Sequence, residues 1–521
     1  MKLTILATSD IHGYIGPTNF SSKRQDMPYG AVKAATVLKK EKEQATGPVV
    51  TIENGDFIQG SPLSYYIARR RKSTNPEDLV TVLNMMEYDV GVIGNHEFNY
   101  GEDYLKQAIS AMNYPVLVAN ILNEAGEPAF GQAYEIVEKE GLKIAVLGLT
   151  TTYIPNWEHP DHIKGMTFKD GVETAKELVP QLRELADVVV VSYHGGFERD
   201  LKTGEITEPL TGENEAYQLM TEVPGIDALI TGHQHRLIAT KINNIPVIQP
   251  GYRGEAVGKI TLTIEKNDNG AYVVTQSEAS LIETATAIPD AAIATKLADL
   301  FKEVDEWLDQ PLGRVEGDMR IQDAHRVRAV EHPYVELIHK VQMEATGTDI
   351  SGTALFVNEG KGFGEIITMR DVVTNYVYPN TLAVLRVSGA DLKAALEHSA
   401  TYFKAEKDGS VGINPDFIHP KPQYYNYDMY EGIDYTINAK KPFGERIVQL
   451  EYHGKTIQPE DQLDITLNQY RAVGGGNYPM YSADKIIREN QKDMSELIAD
   501  YLVEHPVIKA ETNNNFKVVA E

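Results

Sequence analysis

Val90-Gly91-Val92-Ile93-Gly94-Asn95-His96-Glu97-Phe98-Asn99 decides how this chain is read. Its first four residues are a short apolar, β-branched run, the pattern of a strand. The residues after it are polar, and Asn-His directly behind an apolar strand has no packing purpose. Strand ends of an α/β sheet are where ligand-binding residues from distant parts of a chain converge. Glycine beside such residues permits a tight turn and a close backbone approach.

The arrangement recurs along the N-terminal half. Asp10-Ile11-His12 follows the run Leu3–Thr8, and Gly55-Asp56 follows Val49–Glu53. Tyr193-His194-Gly195-Gly196 follows Val188–Ser192, and Thr231-Gly232-His233-Gln234-His235 follows Ala228–Thr231. Ile144–Leu147 and Val247–Gln249 are further strand candidates. Helical patterns lie between several of them. Asn75 can cap one, Pro76 fits its first position, and Glu77 and Asp78 suit the positive end of the dipole. Leu79, Val82, Leu83 and Met86 then recur at helical spacing. Alternating strand and helix predict an α/β layered domain.

Imidazole and carboxylate together suit Zn, Mn, Fe or Co better than Mg or Ca. Asp10 and His12 stand two apart, as do His233 and His235, so on an extended chain each pair faces one side. Gln234, between two of them, would face the other way. Asp56 could bridge two ions about 3.5–4 Å apart.

Bulk properties narrow the alternatives. The chain has 521 residues, too many for one core, so two domains are expected. A helix over Pro289–Leu308, with an apolar face of Ile293, Leu297, Leu300, Phe301, Val304 and Leu308, reads as the connector, ended by Pro311 and Gly313. The predicted division is 1–285, a connector and hinge over 286–313, and a C-terminal α+β domain over 314–521. Its last helix is expected at Asp493–Glu504. Net charge is −26, which repels nucleic acid polymers and anionic lipid. A small anionic substrate needs local positive charge, and bound metal supplies it. Cysteine is absent, which excludes disulfides, thiolate zinc sites and iron–sulfur clusters. No stretch reaches the roughly 20 apolar residues of a membrane span. As written the chain reads as cytoplasmic, and as secreted or cell-surface if a signal peptide was removed. The oligomeric state is not encoded in any pattern recognised here.

These motifs, in this order, resemble the calcineurin-like metallophosphoesterases, whose pattern is Asp-x-His, Gly-Asp, Gly-Asn-His-Asp/Glu, His, Gly-His-x-His. More narrowly, the chain is similar to the group of 5′-nucleotidases and 2′,3′-cyclic-nucleotide 2′-phosphodiesterase/3′-nucleotidases. The C-terminal half carries that group's marks in Tyr378-Pro379-Asn380-Thr381-Leu382, Ser388-Gly389-Ala390-Asp391-Leu392 and Asn468-Gln469-Tyr470-Arg471-Ala472-Val473-Gly474-Gly475-Gly476-Asn477. The resemblance implies a four-layer αββα metallophosphoesterase sandwich followed by an α+β substrate-binding domain.

It also implies two divalent metal ions, Mn or Zn. One would be held by Asp10, His12, Asp56 and His235, the other by Asp56, Asn95, His194 and His233. His96 would sit over the phosphate, and Asn95 would touch it as well. The expected chemistry is direct displacement by an activated water, with no phosphoenzyme. Two aromatic rings of the C-terminal domain would sandwich the nucleobase of a small nucleotide substrate. Tyr470 matches one position, and Tyr425 is favoured for the other.

Two departures from the 5′-nucleotidase pattern are informative. Asn99 stands where those enzymes commonly carry an Asp that orients the histidine, and it cannot raise that histidine's basicity as a carboxylate would. The Asn-Gly-Gly-x-Arg phosphate clamp is missing near Phe356–Gly362, leaving Lys361, Arg370 or Arg471 as alternatives to replace it. Both departures point to the cyclic-phosphodiesterase branch. A 5′-nucleotidase or nucleotide-sugar hydrolase, a sulfur-compound hydrolase and a non-catalytic nucleotide-binding protein remain the rivals.

Overall fold

The computed structural model describes residues 1–521 except Arg24, Trp157, Pro209, Val377, Pro379, Gln491 and Asp493. Position 379 of the expected Tyr378–Leu382 mark, and the expected helix start at Asp493, therefore lie outside the described residues. The chain divides into two compact units, Met1–Val304 and Asp305–Glu521.

The first unit holds two six-stranded sheets. In chain order their strands are β1 (Lys2–Thr8), β2 (Val49–Glu53), β3 (Val90–Val92), β4 (Val116–Leu117), β5 (Tyr134–Lys139), β6 (Leu142–Thr150), β7 (Val188–His194), β8 (Ala228–Ile230), β9 (Leu237–Ile242), β10 (Ile245–Pro250), β11 (Ala256–Lys266) and β12 (Tyr272–Glu283). One sheet runs β12-β11-β1-β2-β3-β4, with β1 to β4 parallel. The other runs β9-β10-β8-β7-β6-β5, with β10, β8, β7 and β6 parallel.

Alternation along the strands sets the layers. Leu3, Ile5 and Ala7 of β1 and Val50 and Ile52 of β2 pack in one core with Ile144 and Val146 of β6 and Val188 and Val190 of β7. The intervening residues Ala145, Leu147, Val189 and Val191 face the other way, onto Val172, Ala175, Val179 and Leu182 of α-helix Gly171–Leu185. Helix Ala31–Gln44 covers the first sheet, burying Ala31, Val32, Ala34, Ala35, Val37 and Leu38. The result is helix, sheet, sheet, helix, the four-layer sandwich the motifs imply. Among the described residues, no helix is long and apolar enough to cross a membrane.

The signposted helix spans Glu77–Met86. Pro76, not Asn75, is its N-cap; Asn75 leads into it, its side chain accepting the Glu77 N–H at 2.8 Å. The expected single connector helix is two, Ala291–Lys296 and Ala298–Leu308. Leu297 interrupts them with φ −103° and ψ 6°. The division between the units falls inside the second of these helices. Pro311–Glu316 is a strand, paired with Ile366–Thr368 and Val507–Lys509.

The second unit is built on a five-stranded sheet. Its strands are β13 (Ile350–Ala354), β14 (Leu382–Ser388), β15 (Asp428–Glu431), β16 (Gln462–Asn468) and β17 (Ile486–Asn490), in the order β15-β13-β16-β14-β17. Helix Pro333–Thr346 packs on it and buries His339, whose Nδ1 lies 3.0 Å from Ser351 Oγ of β13. Burial pushes this histidine down to about 3.

A buried histidine held neutral has a folded pKa below its unfolded value. Its contribution is present above the unfolded value and is lost as pH falls from 6.5 towards about 3. Across that window this one group should cost about 1.4 kcal/mol of stability per pH unit. Denaturant unfolding of the second unit's transition at several pH values checks this. His339→Gln should flatten the slope there, and an unchanged slope would show that His339 does not drive it.

Candidate metal centre

Four of the five motif loops leave the C-terminal ends of β1, β2, β7 and β8, and the fifth follows β3 within two residues. The chain turns through left-handed backbone at three of them. Asp10, His12, Asp56, His233 and His235 all take left-handed backbone, with φ between 53° and 66°. That region is costly for residues with a Cβ, and such strain concentrates at functional sites. Asp10 with His12, and His233 with His235, therefore reach the site through left-handed turns, not through the alternation of an extended chain. Gln234 does point elsewhere: its amide accepts from Phe197 N at 2.9 Å and donates to Phe197 O at 3.0 Å. Gly94 explains itself by crowding, since a Cβ there would lie 2.2 Å from Asp56 Oδ1 and 2.8 Å from the His194 ring.

Two clusters result, Asp10–His12–His235 and Asp56–His194–His233. Asp56 belongs to both neighbourhoods. Its Oδ2 lies 3.0 Å from His194 Nε2 and 3.8 Å from His12 Nε2. Its Oδ1 accepts the His96 N–H at 2.7 Å. Asp10 Oδ1 lies 3.5 Å from His235 Nε2. Asn95 Oδ1 completes the second group, 2.9 Å from His233 Nδ1 and 3.2 Å from His194 Nε2. All seven expected ligands are thus brought together.

The surroundings orient the imidazoles. His12 Nδ1 faces the Gln59 carbonyl at 3.0 Å and His194 Nδ1 faces the Asn54 carbonyl at 2.6 Å. Both therefore donate from Nδ1 and present Nε2 inward. His233 Nε2 lies 3.1 Å from Glu213 Oε1, leaving its other nitrogen for the centre. His235 stacks on Tyr252 with ring centroids 4.9 Å apart. Such outer partners set ring orientation and ligand basicity at metal sites.

The electrostatics ask for a cation. Asp10 and Asp56 are 0% and 1% exposed. Burial lifts Asp10 to about 7. Burial also opposes ionisation of Asp56, but His194, His96 and His12 outweigh it and hold this carboxyl well below the usual range. His194 is drawn the other way: burial disfavours its charge, yet Asp56 and Asp10 raise it to about 10. His12 is pushed by burial down to about 3. Without metal, an imidazolium at His194 is the charge that balances Asp56. Asp56 Oδ2 is buried and faces imidazole nitrogens, His194 Nε2 at 3.0 Å and His12 Nε2 at 3.8 Å. Four imidazoles, two carboxylates and an amide oxygen, gathered in two adjoining clusters, fit a pair of borderline divalent ions.

Glu97 was not singled out from the sequence, although it stands inside the quoted run. It is 4% exposed, and its Oε2 accepts the N–H groups of Asp56 and Gly94, both at 2.7 Å. Its Oε1 accepts Phe57 N at 2.7 Å and Ile58 N at 3.3 Å. One carboxylate thus ties the loop after β2 to the loop after β3. The signal that could have flagged it is its place as the acidic residue of the Gly-Asn-His-Asp/Glu pattern.

The remaining expected residues fall as follows. His96 Nδ1 lies 2.6 Å from Asn99 Oδ1, and the His96 and His12 ring centroids are 5.1 Å apart. In the second unit, Tyr470 and Tyr425 are half-buried, on helix Gln469–Ala472 and on the turn Tyr424–Asn426. Arg471 is 1% exposed. It pairs with Asp428 at 2.6 and 3.0 Å and donates to the carbonyls of Tyr425 and Gly475. Its guanidinium is enclosed by the fold, which corrects its expected role as a phosphate clamp: it ties the Tyr425 turn to the Tyr470 helix instead. Arg370 is likewise engaged, by Asp305 and Asp309 at 2.9 Å each. Lys361 is exposed.

Glu97→Gln must turn an NH2 group towards backbone donors that now meet carboxylate oxygens. Affinity for Mn2+ and for Zn2+ should fall about 10- to 100-fold, the size of effect expected of a group that orients ligands. Calorimetric titration of metal-stripped protein measures it. Unchanged affinity would mean the two loops hold their places without this carboxylate.

Comparison with known proteins agrees with this architecture. Residues 3–237 match the family model of the calcineurin-like phosphoesterases, and residues 311–483 match that of the 5′-nucleotidase C-terminal domain. A 2′,3′-cyclic-nucleotide 2′-phosphodiesterase/3′-nucleotidase of Yersinia enterocolitica is 30% identical over 99% of this chain and 88% of its own length. A trifunctional nucleotide phosphoesterase protein of Bacillus subtilis is 27% identical over 99% of this chain, which spans 39% of that protein. A solved Staphylococcus aureus structure, provisionally termed a 5′-nucleotidase, is 38% identical with a TM-score of 0.91, covering 99% of this chain and 100% of that one. The chain belongs to the calcineurin-like phosphoesterases that carry a 5′-nucleotidase C-terminal domain, and it is a hydrolase of that family.

Proposed function

We propose that this phosphoesterase hydrolyses 2′,3′-cyclic nucleotides and the 3′-nucleotides they yield. The observation that carries the hydrolytic reading is the convergence of two Asp/His clusters on Asp56, with His96 beside them. Asn99 in place of an Asp next to His96, and the similarity to the Yersinia enterocolitica enzyme, support the cyclic and 3′ substrates.

Asp10, His12, Asp56 and His235 would hold one Mn or Zn ion, and Asp56, Asn95, His194 and His233 the other. Bound there, a metal pair supplies positive charge for the phosphate oxygens and a water acidic enough to attack near neutral pH. The chain's own contribution is positioning. The Glu97 clasp and the backbone-anchored histidines keep the ligands in register before substrate arrives. His96 is the group placed to hydrogen-bond the phosphate or the leaving oxygen. No ligand is free to become a covalent nucleophile, so the reaction is a direct displacement. Tyr470 and Tyr425 are proposed to stack the base, which tolerates any base because every base has a π-face. Lys361, exposed and cationic, is the remaining proposed phosphate contact from the second unit.

Turnover of 2′,3′-cyclic AMP, 3′-AMP and 5′-AMP, by metal-stripped protein reloaded with Mn or Zn, tests the reading. The cyclic and 3′ substrates should be preferred. Preference for 5′-AMP would overturn this specificity and make the chain a 5′-nucleotidase with the same centre. Asp56→Asn should lower kcat on every substrate by about 10³-fold or more, because it removes the shared ligand.

A further inference from the structure

Behind His96 lies a hydrogen-bonded chain that leads away from the metal clusters. Asn99 Oδ1 is 2.6 Å from His96 Nδ1. Asn99 Nδ2 donates to Glu158 Oε2 at 2.7 Å. Glu158 is 6% exposed. Its other oxygen accepts the His159 backbone N–H at 2.8 Å and lies 2.7 Å from His162 Nδ1. Glu158 belongs to no recognised motif and stands 59 residues from Asn99.

An amide alone gives a histidine no fixed instruction. Turned by half a rotation, it offers NH2 where it offered oxygen, with almost the same shape. A carboxylate only accepts. With Glu158 on one side, the Asn99 NH2 must face it and the Asn99 oxygen must face His96. His96 Nδ1 must then carry a hydrogen.

We propose that Glu158 is the positioning residue of this centre: through Asn99 it fixes the Nδ1–H tautomer of His96 and leaves the opposite nitrogen, Nε2, as the position through which a proton is exchanged with the phosphoester. The part of this that concerns the phosphoester rests on the function proposed above; the tautomer does not. A carboxylate orienting a histidine through an amide differs from direct contact. It sets direction and adds no charge against the ring.

The arrangement predicts a reversal of sign. In Glu158→Gln, the new amide keeps its oxygen on the His159 N–H and turns its NH2 towards Asn99. Asn99 then turns over, and His96 moves to the Nε2–H tautomer. In Asn99→Asp, two carboxylates face each other across a 2.7 Å contact. In the double variant, the carboxylate introduced by Asn99→Asp accepts from His96 and from the amide introduced by Glu158→Gln, and the Nδ1–H tautomer returns.

Two measurements read this. The first is 15N NMR of the His96 ring in Zn-loaded protein without substrate, assigned by comparison with His96→Gln. Wild type and the double variant should show Nδ1–H, and Glu158→Gln should show Nε2–H. The second is kcat on 2′,3′-cyclic AMP, 3′-AMP and 5′-AMP. Each single variant should lose about 10²-fold, with KM little changed, and the double should recover most of it. Retention of Nδ1–H in Glu158→Gln, or a double variant no better than the poorer single, overturns the proposal. If Glu158→Gln does not fold, Asn99→Asp against the double still decides. If wild type turns over none of the nucleotides, the function reading fails while the NMR result still judges the role of Glu158.

Discussion

Asp56 is the constraint around which the first unit is arranged. Its carboxylate is 1% exposed, with one oxygen held by the His96 N–H and the other 3.0 Å from His194 Nε2. A buried carboxylate oxygen left bare costs several kcal/mol unless positive charge reaches it. His194 supplies that charge in the absence of metal. The cost is tolerable only because the loop carrying Asp56 cannot move away. Glu97 grips the Asp56, Phe57 and Ile58 N–H groups from the next loop, and Gly94 passes too close for any side chain. The sandwich beneath is a rigid base for loops that each hold backbone in a costly conformation.

Most of the metal centre was legible because its residue types have no other use where they stand. Polar ligands directly behind β-branched runs announce strand ends, and β1, β2 and β7 fall where those runs predict. The short and exposed strands were less legible. Val116–Leu117 has only two residues, and Tyr134–Lys139 is half-polar because it lies at a sheet edge. The long hairpin of β11 and β12 alternates with charged residues, which dilutes a simple apolar run. The convergence of Asp10 with His12 was expected for the wrong geometric reason. Alternation predicts shared facing on extended backbone, whereas both residues turn left-handed.

Partners outside a motif were not legible at all. A buried arginine in the run Asn468–Asn477 reads as a phosphate ligand until its neighbour is known. Asp428, 43 residues away, makes it structural. Arg471 brings two donors to that carboxylate and further donors to the Tyr425 and Gly475 carbonyls. A planar guanidinium suits this task, since its donors leave in fixed directions. The tyrosine-bearing segments therefore owe their mutual placement to a charge that sequence reading assigned to substrate.

The same lesson changes the meaning of Asn99. Read alone, it is a carboxylate lost from beside the histidine. The fold returns one at Glu158, a single amide further out. Directly against His96, a carboxylate would join Asp10 and Asp56 around a site meant for phosphate, in a chain whose net charge is already −26. Like charges in a poorly solvated site repel strongly. An intervening amide passes on orientation through its dipole and keeps the negative charge one group away. Directionality and repulsion are thereby separated, and an imidazole can be oriented beside an anion without a second anion behind it.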